Sequence, residues 1–357
     1  MIIRLSHQPI LDPGSIAPSH PDLHILGVFN PGAVRHGDEI LLLVRVAEEA
    51  VQTGAPGIRV PLLQHSANGV ASDWSPNMLL LQDDGNLDIT DPREIRYNGR
   101  SFLSSISHLR LARSRDGVEF TIDPEPTILP FGPMETYGIE DPRITKIDGR
   151  YLIQYTAVSE HGVAVGLIET VDWKNFRRIG LIFPPQNKDV CIFPRRINGR
   201  YVALHRPEAG DFSRPSIWLA YSPDLLHWGD HRPLISPRDT MWDAKRIGGG
   251  APPLETTAGW LEIYHGVSQD GSYHLGALLL DLEDPSRIIA RSNEPLLSPE
   301  SDFEKAGFYS NTVFSNGVVL HPTNPDLLLA YYGAADRSIG VCTVSISHLL
   351  ATLLREA

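Results

Sequence analysis

The chain has 357 residues, with 31 Lys and Arg against 43 Asp and Glu, and a formal charge of −12. That balance excludes the broad basic face that a nucleic-acid binder needs to displace counterions. Its 30 glycines and 29 prolines, about a sixth of the chain, leave little room for long helices.

The first residues, Met1-Ile-Ile-Arg-Leu-Ser6, carry no apolar leader, and no run approaches the roughly 18 apolar residues of a membrane span. Cys191 and Cys342 have neither disulfide-framework nor metal-ligand spacing. A reduced, cytoplasmic location is expected, with no membrane or nucleic-acid partner and no metal or other cofactor.

Taken in chain order, the periodicity is that of strands. Glu39–Val46 follows the turn His36-Gly37-Asp38, and a second turn is Asn98-Gly99-Arg100. Arg150–Thr156 follows Asp148-Gly149, Arg200–His205 follows Asn198-Gly199, and Trp260–His265 follows Ala258-Gly259. Each run has strand length and β-branched or aromatic content, and Asn-Gly and Asp-Gly suit type I′ hairpins. A further strand is Leu327–Tyr332, and Ser347–Ala357 reads as a helix with Leu349, Leu350, Leu353 and Leu354 on one face.

The turn glycines at 37, 99, 149, 199 and 259 recur every 50 to 62 residues, the length of one four-stranded blade. Between them come Ser114-Arg-Asp-Gly117 with Phe120, Asp172-Trp173 with Phe176, and Ser222-Pro-Asp224 with Trp228, each an acidic turn followed by an aromatic. The expected fold is all-β, a five-bladed β-propeller with a short C-terminal helix, in one domain spanning 1–357. Six blades or a large β-sandwich are the competing readings.

A propeller gathers its inner strand ends around one axial funnel, so chemistry is sought there. In Tyr137-Gly-Ile-Glu-Asp-Pro-Arg143, Pro142 restricts Asp141 to extended backbone, which suits a fixed proton donor or a plain turn residue. Lys188, Arg206, Lys245, Arg246 and His265 recur at corresponding places in later repeats. Any one of them reads equally as a solvated rim charge; together, converging cations repel one another unless an anion joins them, and phosphate, sulfate or a substrate carboxylate would serve. Gly248-Gly-Gly-Ala-Pro-Pro253 lacks the Lys-Ser/Thr of a phosphate loop and reads as close backbone approach. Trp242, Trp260, Tyr264 and Tyr137 offer faces for sugar rings or for blade packing. Serine-hydrolase and zinc motifs are missing.

From about Phe29 to Asp336 the sequence resembles glycoside hydrolase family 130, the β-mannoside phosphorylases and related mannosidases. The resemblance rests on motifs in order: Val28-Phe-Asn-Pro-Gly-Ala33, Gly138-Ile-Glu-Asp-Pro-Arg-Ile-Thr145, Lys188-Asp-Val-Cys-Ile-Phe-Pro194, Ile197-Asn-Gly-Arg-Tyr201 leading to His205-Arg-Pro207, Arg246-Ile-Gly-Gly-Gly-Ala-Pro-Pro253, Gly259-Trp-Leu-Glu-Ile-Tyr-His-Gly266, Leu275-Gly-Ala-Leu-Leu-Leu-Asp-Leu-Glu-Asp-Pro285 and Tyr331-Tyr-Gly-Ala-Ala-Asp336. It implies a five-bladed propeller and inverting cleavage of a β-mannoside by inorganic phosphate, giving α-mannose 1-phosphate.

By the same resemblance Asp141 is the acid, acting through the 3-hydroxyl of the mannose. Lys188, Arg206, Arg246 (with Lys245 adjacent) and His265 hold phosphate; Lys188 stands where Arg is also common. Asn30, Arg45, Tyr137 and Asp336 touch the mannose. The segment Ser104–Ser114 resembles the branch acting on β-1,2-mannobiose or oligomannan, and His108 and Arg110 there bind the acceptor sugar or are plain strand residues. A β-1,4 phosphorylase, a β-mannosidase, a furanosidase of another propeller family and a glycan-binding propeller are the alternatives. The oligomeric state is open, a homo-oligomer included.

Overall fold

The computed structural model describes residues 2–54, 56–63, 75–208, 210 and 212–356. Five antiparallel sheets dominate. The first contains Leu23–His36, Glu39–Ala50, Ser105–Ser114 and Thr121–Ile122. The second is built from Ile139–Ile147, Arg150–Ser159, Gly162–Thr170 and Arg177–Phe183, and the third from Asn187–Ile192, Tyr201–Pro207, Ile217–Ser222 and Gly229–Ile235. The fourth has Arg246–Gly248, Gly259–Val267, Tyr273–Leu280 and Ile288–Arg291, with Leu254–Thr256 paired beside Gly259–Val267. The fifth joins Val313–Leu320, Leu327–Ala334 and Ser338–Ser345 to the N-terminal strand Ile2–Arg4, in register Ile2 to Val344.

An all-β fold of several sheets is therefore present, and the cores lie between the sheets. Leu43 and Leu109 of the first pack with Ile153 and Ile168 of the second, and Leu152 and Leu167 of the second with Ala203 and Ala220 of the third. Leu204 and Leu219 of the third meet Trp260 and Leu278 of the fourth, whose Leu261 and Leu279 meet Leu328 and Tyr332 of the fifth. Tyr331 and Val341 of the fifth complete the sequence against Leu42 and Val44 of the first.

Three of the turns behave as the dipeptides require, with both central residues at positive φ: Asn98 and Gly99, Asp148 and Gly149, Asn198 and Gly199. The Asn98-Gly99 turn is nevertheless outside the repeat. It joins Glu94–Tyr97 to Arg100–Leu103 in a small inserted sheet, which with the pair Ile58–Leu62 and Asn77–Leu81 fills the span between two strands of the first sheet. The matching connection in the fifth sheet, between Val313–Leu320 and Leu327–Ala334, carries prolines and no glycine.

The acidic turns do recur. Asp116, Asp172 and Asp224 each accept two backbone N–H bonds at 2.8–2.9 Å, and Asp281 does the same in the fourth sheet at 3.0 Å. The C-terminal helix is Ile346–Glu356; Leu349 and Leu353 are buried against the fourth and fifth sheets, while Leu354 is half exposed. Ala357, at the expected helix end, lies outside the described residues.

Candidate active site

One local device builds the site. The first strands of the first three sheets each break register by one residue at the same height: between Phe29 and Gly32, between Glu140 and Arg143, and between Lys188 and Cys191. A bulge bends the strand and re-aims the side chain at it. The re-aimed residues are Asn30, Asp141 and Asp189, at φ of 48°, 49° and 55°; Asp141 is therefore left-handed and not extended as the following Pro142 suggests, because the bulge sets its backbone. The fifth sheet shifts between Phe314 and Gly317, and the fourth opens at Gly248–Gly250.

These positions surround a cavity of about 910 Å³. That is ample for a disaccharide and a small anion, since ligand pockets run from roughly 300 to 1,000 Å³. Its lining includes Asn30, Arg45, Tyr137, Asp141, Lys188, Arg206, Arg246, His265 and Asp336, so nine of the residues singled out in the sequence come together.

On one side is a carboxylate cluster. Asp141 Oδ1 accepts from Asn30 Nδ2 at 2.9 Å and from Arg45 Nη1 at 3.1 Å. Arg45 also donates to Glu140 at 2.7 Å and to Ser107 at 3.1 Å, and lies over the Phe29 ring at 4.6 Å. Burial works to raise the Asp141 pKa, but Arg45, Lys188, Asn30 and Arg143 outweigh it and hold the carboxyl below its usual range. For Asp336 burial wins: assisted by the charges of Asp141 and Glu140, it pushes the carboxyl up to about 6 against Arg45 and Arg93. The two neighbouring carboxyls are thus driven apart, Asp141 down and Asp336 up.

On the other side is a cation cluster. Arg206 Nη1 lies 2.7 Å from Asp189 Oδ2 and Nη2 lies 2.8 Å from Glu208. The His265 Nε2 is 3.5 Å from Asp189 and 3.4 Å from Arg206. Burial takes His265 down to about 3, so its imidazole is neutral and donates from one nitrogen only. Arg246 lies over the Tyr273 ring at 5.7 Å, and Lys188 stands opposite Arg206 in the ladder. Arg143 connects the two clusters, donating to the Asp141 carbonyl at 3.1 Å and to Asp189 Oδ1 at 3.0 Å.

Three expected site residues are placed elsewhere. Lys245 is exposed and does not line the cavity, because neighbours on a strand point to opposite faces and Arg246 takes the inner one. His108 and Arg110 fall to the same alternation. Ser105 and Ser107 of their strand face the site, whereas His108 and Arg110 point to the other face of the sheet. There Arg110 bonds His108 at 3.0 Å and the Ala17 carbonyl at 3.0 Å, and Glu48 stands 3.4 Å from His108. Conversely, Glu140, Arg143 and Asp189 lie inside quoted motifs without having been assigned a role. The signal for Asp189 was available: converged arginines need a carboxylate to hold them. Arg93, just before the inserted strand Glu94–Tyr97 and with its guanidinium 4.8 Å over Tyr309, belongs to no motif.

The family model described as β-1,4-mannooligosaccharide phosphorylase matches residues 95–355. The chain belongs to glycoside hydrolase family 130. It is 42% identical over 360 residues to the β-1,2-mannobiose phosphorylase of Listeria innocua, covering 100% of this chain and 99% of that protein. It is 40% identical over 247 residues to the 1,2-β-oligomannan phosphorylase of a Thermoanaerobacter species, covering 68% and 80%. The structure of the Listeria innocua enzyme in complex with β-1,2-mannobiose superposes with a TM-score of 0.92 over 99% of both chains. Among the described residues no group of three or more His, Cys, Asp or Glu could hold a metal ion, and no helix is long and apolar enough to cross a membrane.

Proposed function

We propose that this family 130 protein catalyses inverting phosphorolysis of a β-1,2-linked mannoside, mannobiose or a short oligomannan, releasing α-mannose 1-phosphate. The observation that carries the reading is the meeting of Lys188, Arg206, Arg246 and His265 with Asp141 on one cavity. An inverting hydrolase needs a second carboxylate free to activate water. Here Asp189, the carboxylate among the cations, is occupied by Arg143 and Arg206, and Glu140 by Arg45, while Asp336 belongs with Asp141 and Arg45 on the sugar side rather than among the cations. Phosphate arrives already anionic and needs only placing.

Asp141 gives its proton, by way of the mannose 3-hydroxyl, to the glycosidic oxygen as the C1–O bond breaks. A phosphate oxygen held by Lys188, Arg206, Arg246 and His265 forms the new bond to C1 from the opposite face. Charge-assisted bonds to these donors position it. The negative charge of phosphate also offsets the cations that depress Asp141, so its binding favours the protonated acid. Asn30, Arg45, Tyr137 and Asp336 orient the mannose.

The linkage reading leans on relatives named for β-1,2 substrates that match at 40–42% identity. We further read the five sheets as blades of one closed five-bladed propeller in a single domain. Support comes from the apolar clusters shared by successive sheets and by the fifth with the first, and from the N-terminal strand lying in the last sheet. A cytoplasmic site of action is consistent with two buried free cysteines. The test is a panel of β-1,2- and β-1,4-mannosides with phosphate, reading mannose 1-phosphate. Release from β-1,2-mannobiose is expected; release from β-1,4-mannobiose alone would overturn the linkage.

A further inference from the structure

Glu262 lies in the fourth sheet, in the apolar run Trp260-Leu-Glu-Ile-Tyr264, with its side chain fully buried. Its Oε1 accepts the Gly250 N–H at 2.8 Å, and its Oε2 has no hydrogen-bond partner among the described residues. The carbonyl of Gly250 accepts from Arg143 Nε at 2.8 Å and from the Cys191 thiol at 3.1 Å. The glycine is gripped from both sides, and Arg143, one link away, is the side chain that touches both the Asp141 backbone and Asp189.

The loop has no slack. A Cβ on Gly249 would stand 2.9 Å from the Cys191 sulfur, and one on Gly250 would stand 2.0 Å from the Ile263 carbonyl oxygen.

We propose that Glu262 is a positioning residue for phosphorolysis: by holding the Gly250 N–H it keeps Arg143 where it sets both the acid and the phosphate-binding cations. This rests on reading the Arg206 and His265 cluster as the phosphate site. The titratable or charged groups facing Glu262 are Arg143 from the second sheet and Cys191 from the third. Burial raises the Glu262 carboxyl to about 8, over the lowering by the Gly250 N–H and Arg143, so it is uncharged at neutral pH. An ionised Glu262 would compete with Asp189 for Arg143, and the phosphate site would loosen as pH rises past that point.

The test compares wild type, Glu262→Ala and Glu262→Gln, with the phosphate KM, mannoside KM and kcat measured from pH 6.5 to 9. Glu262→Ala leaves the Gly250 N–H unpaired and is expected to raise the phosphate KM about tenfold or more, with the mannoside KM within about twofold, as loss of an orienting partner does. Glu262→Gln keeps an oxygen for the N–H and cannot ionise. It is expected to restore the phosphate KM at pH 7 and to lack the rise in phosphate KM expected of wild type above pH 8. An unchanged phosphate KM in Glu262→Ala overturns the proposal, as does a wild-type alkaline limb in Glu262→Gln. Should the alanine variant not fold, the glutamine profile alone decides. Wild type separates the two levels: cleavage without phosphate refutes the phosphorylase reading, whereas a phosphate-dependent wild type with an indifferent Glu262→Ala refutes only the role of Glu262.

Discussion

Arg206→Ala perturbs the proposed anion site most directly. The side chain is 4% exposed and pairs with Asp189 at 2.7 Å and Glu208 at 2.8 Å. A charge-assisted hydrogen bond from such a group to bound phosphate contributes about 1.5–3 kcal/mol, or about 10- to 150-fold in phosphate affinity. Stability also falls. Because Arg143 still donates to Asp189 at 3.0 Å, the loss should stay below the roughly 3–5 kcal/mol of stripping a buried carboxylate of its only partner. The assay is initial release of mannose 1-phosphate over a range of phosphate at saturating β-1,2-mannobiose, together with thermal melting. The expected result is a phosphate KM raised about tenfold or more, with the mannoside KM within about twofold. A folded variant with a wild-type phosphate KM would refute the anion-site reasoning.

Asp141→Asn keeps the shape but cannot donate the proton, so turnover should fall by about 10²- to 10⁴-fold while calorimetry still detects mannoside binding. In Gly333→Ala the new Cβ would lie 1.9 Å from Asn30 Oδ1, so Asn30 must leave Asp141; kcat should drop with little change in phosphate KM. Asp336 keeps its proton in the fold up to about 6, whereas the unfolded chain releases it near 3.8. Folding stability from this group therefore declines as pH rises through that window, and Asp336→Asn should melt with a shallower fall between pH 4 and 6.5 than wild type. Lys245→Ala should leave the phosphate KM unchanged, and a tenfold rise would return Lys245 to the site.

The strands, the hairpin turns and nine lining residues of the cavity were legible because each depends on local chemistry: Asn-Gly and Asp-Gly at positive φ, β-branched runs, and motifs at strand ends. Facing was less legible. His108 and Arg110 sit one residue out of phase with Ser105 and Ser107, and Lys245 one residue from Arg246; strand alternation sends each to the opposite side. The bulges at Asn30, Asp141 and Asp189 left no mark beyond Pro31 and Pro142, because they arise from pairing with a neighbouring strand. Arg143 and Glu262 were hidden for a related reason. Their roles exist only where strands distant in the chain meet at the Gly248–Gly250 loop. The Asn98-Gly99 turn misled because a hairpin signal does not say to which sheet the hairpin belongs.

The most direct measurement of whether phosphate is the nucleophile is the rate of glycosidic cleavage of β-1,2-mannobiose as phosphate is titrated from zero to saturation, with mannose 1-phosphate and free mannose from the cleaved unit counted separately. Cleavage that extrapolates to zero without phosphate, with each event yielding one α-mannose 1-phosphate, is the predicted result. A finite rate at zero phosphate that yields free mannose at the same speed would contradict it.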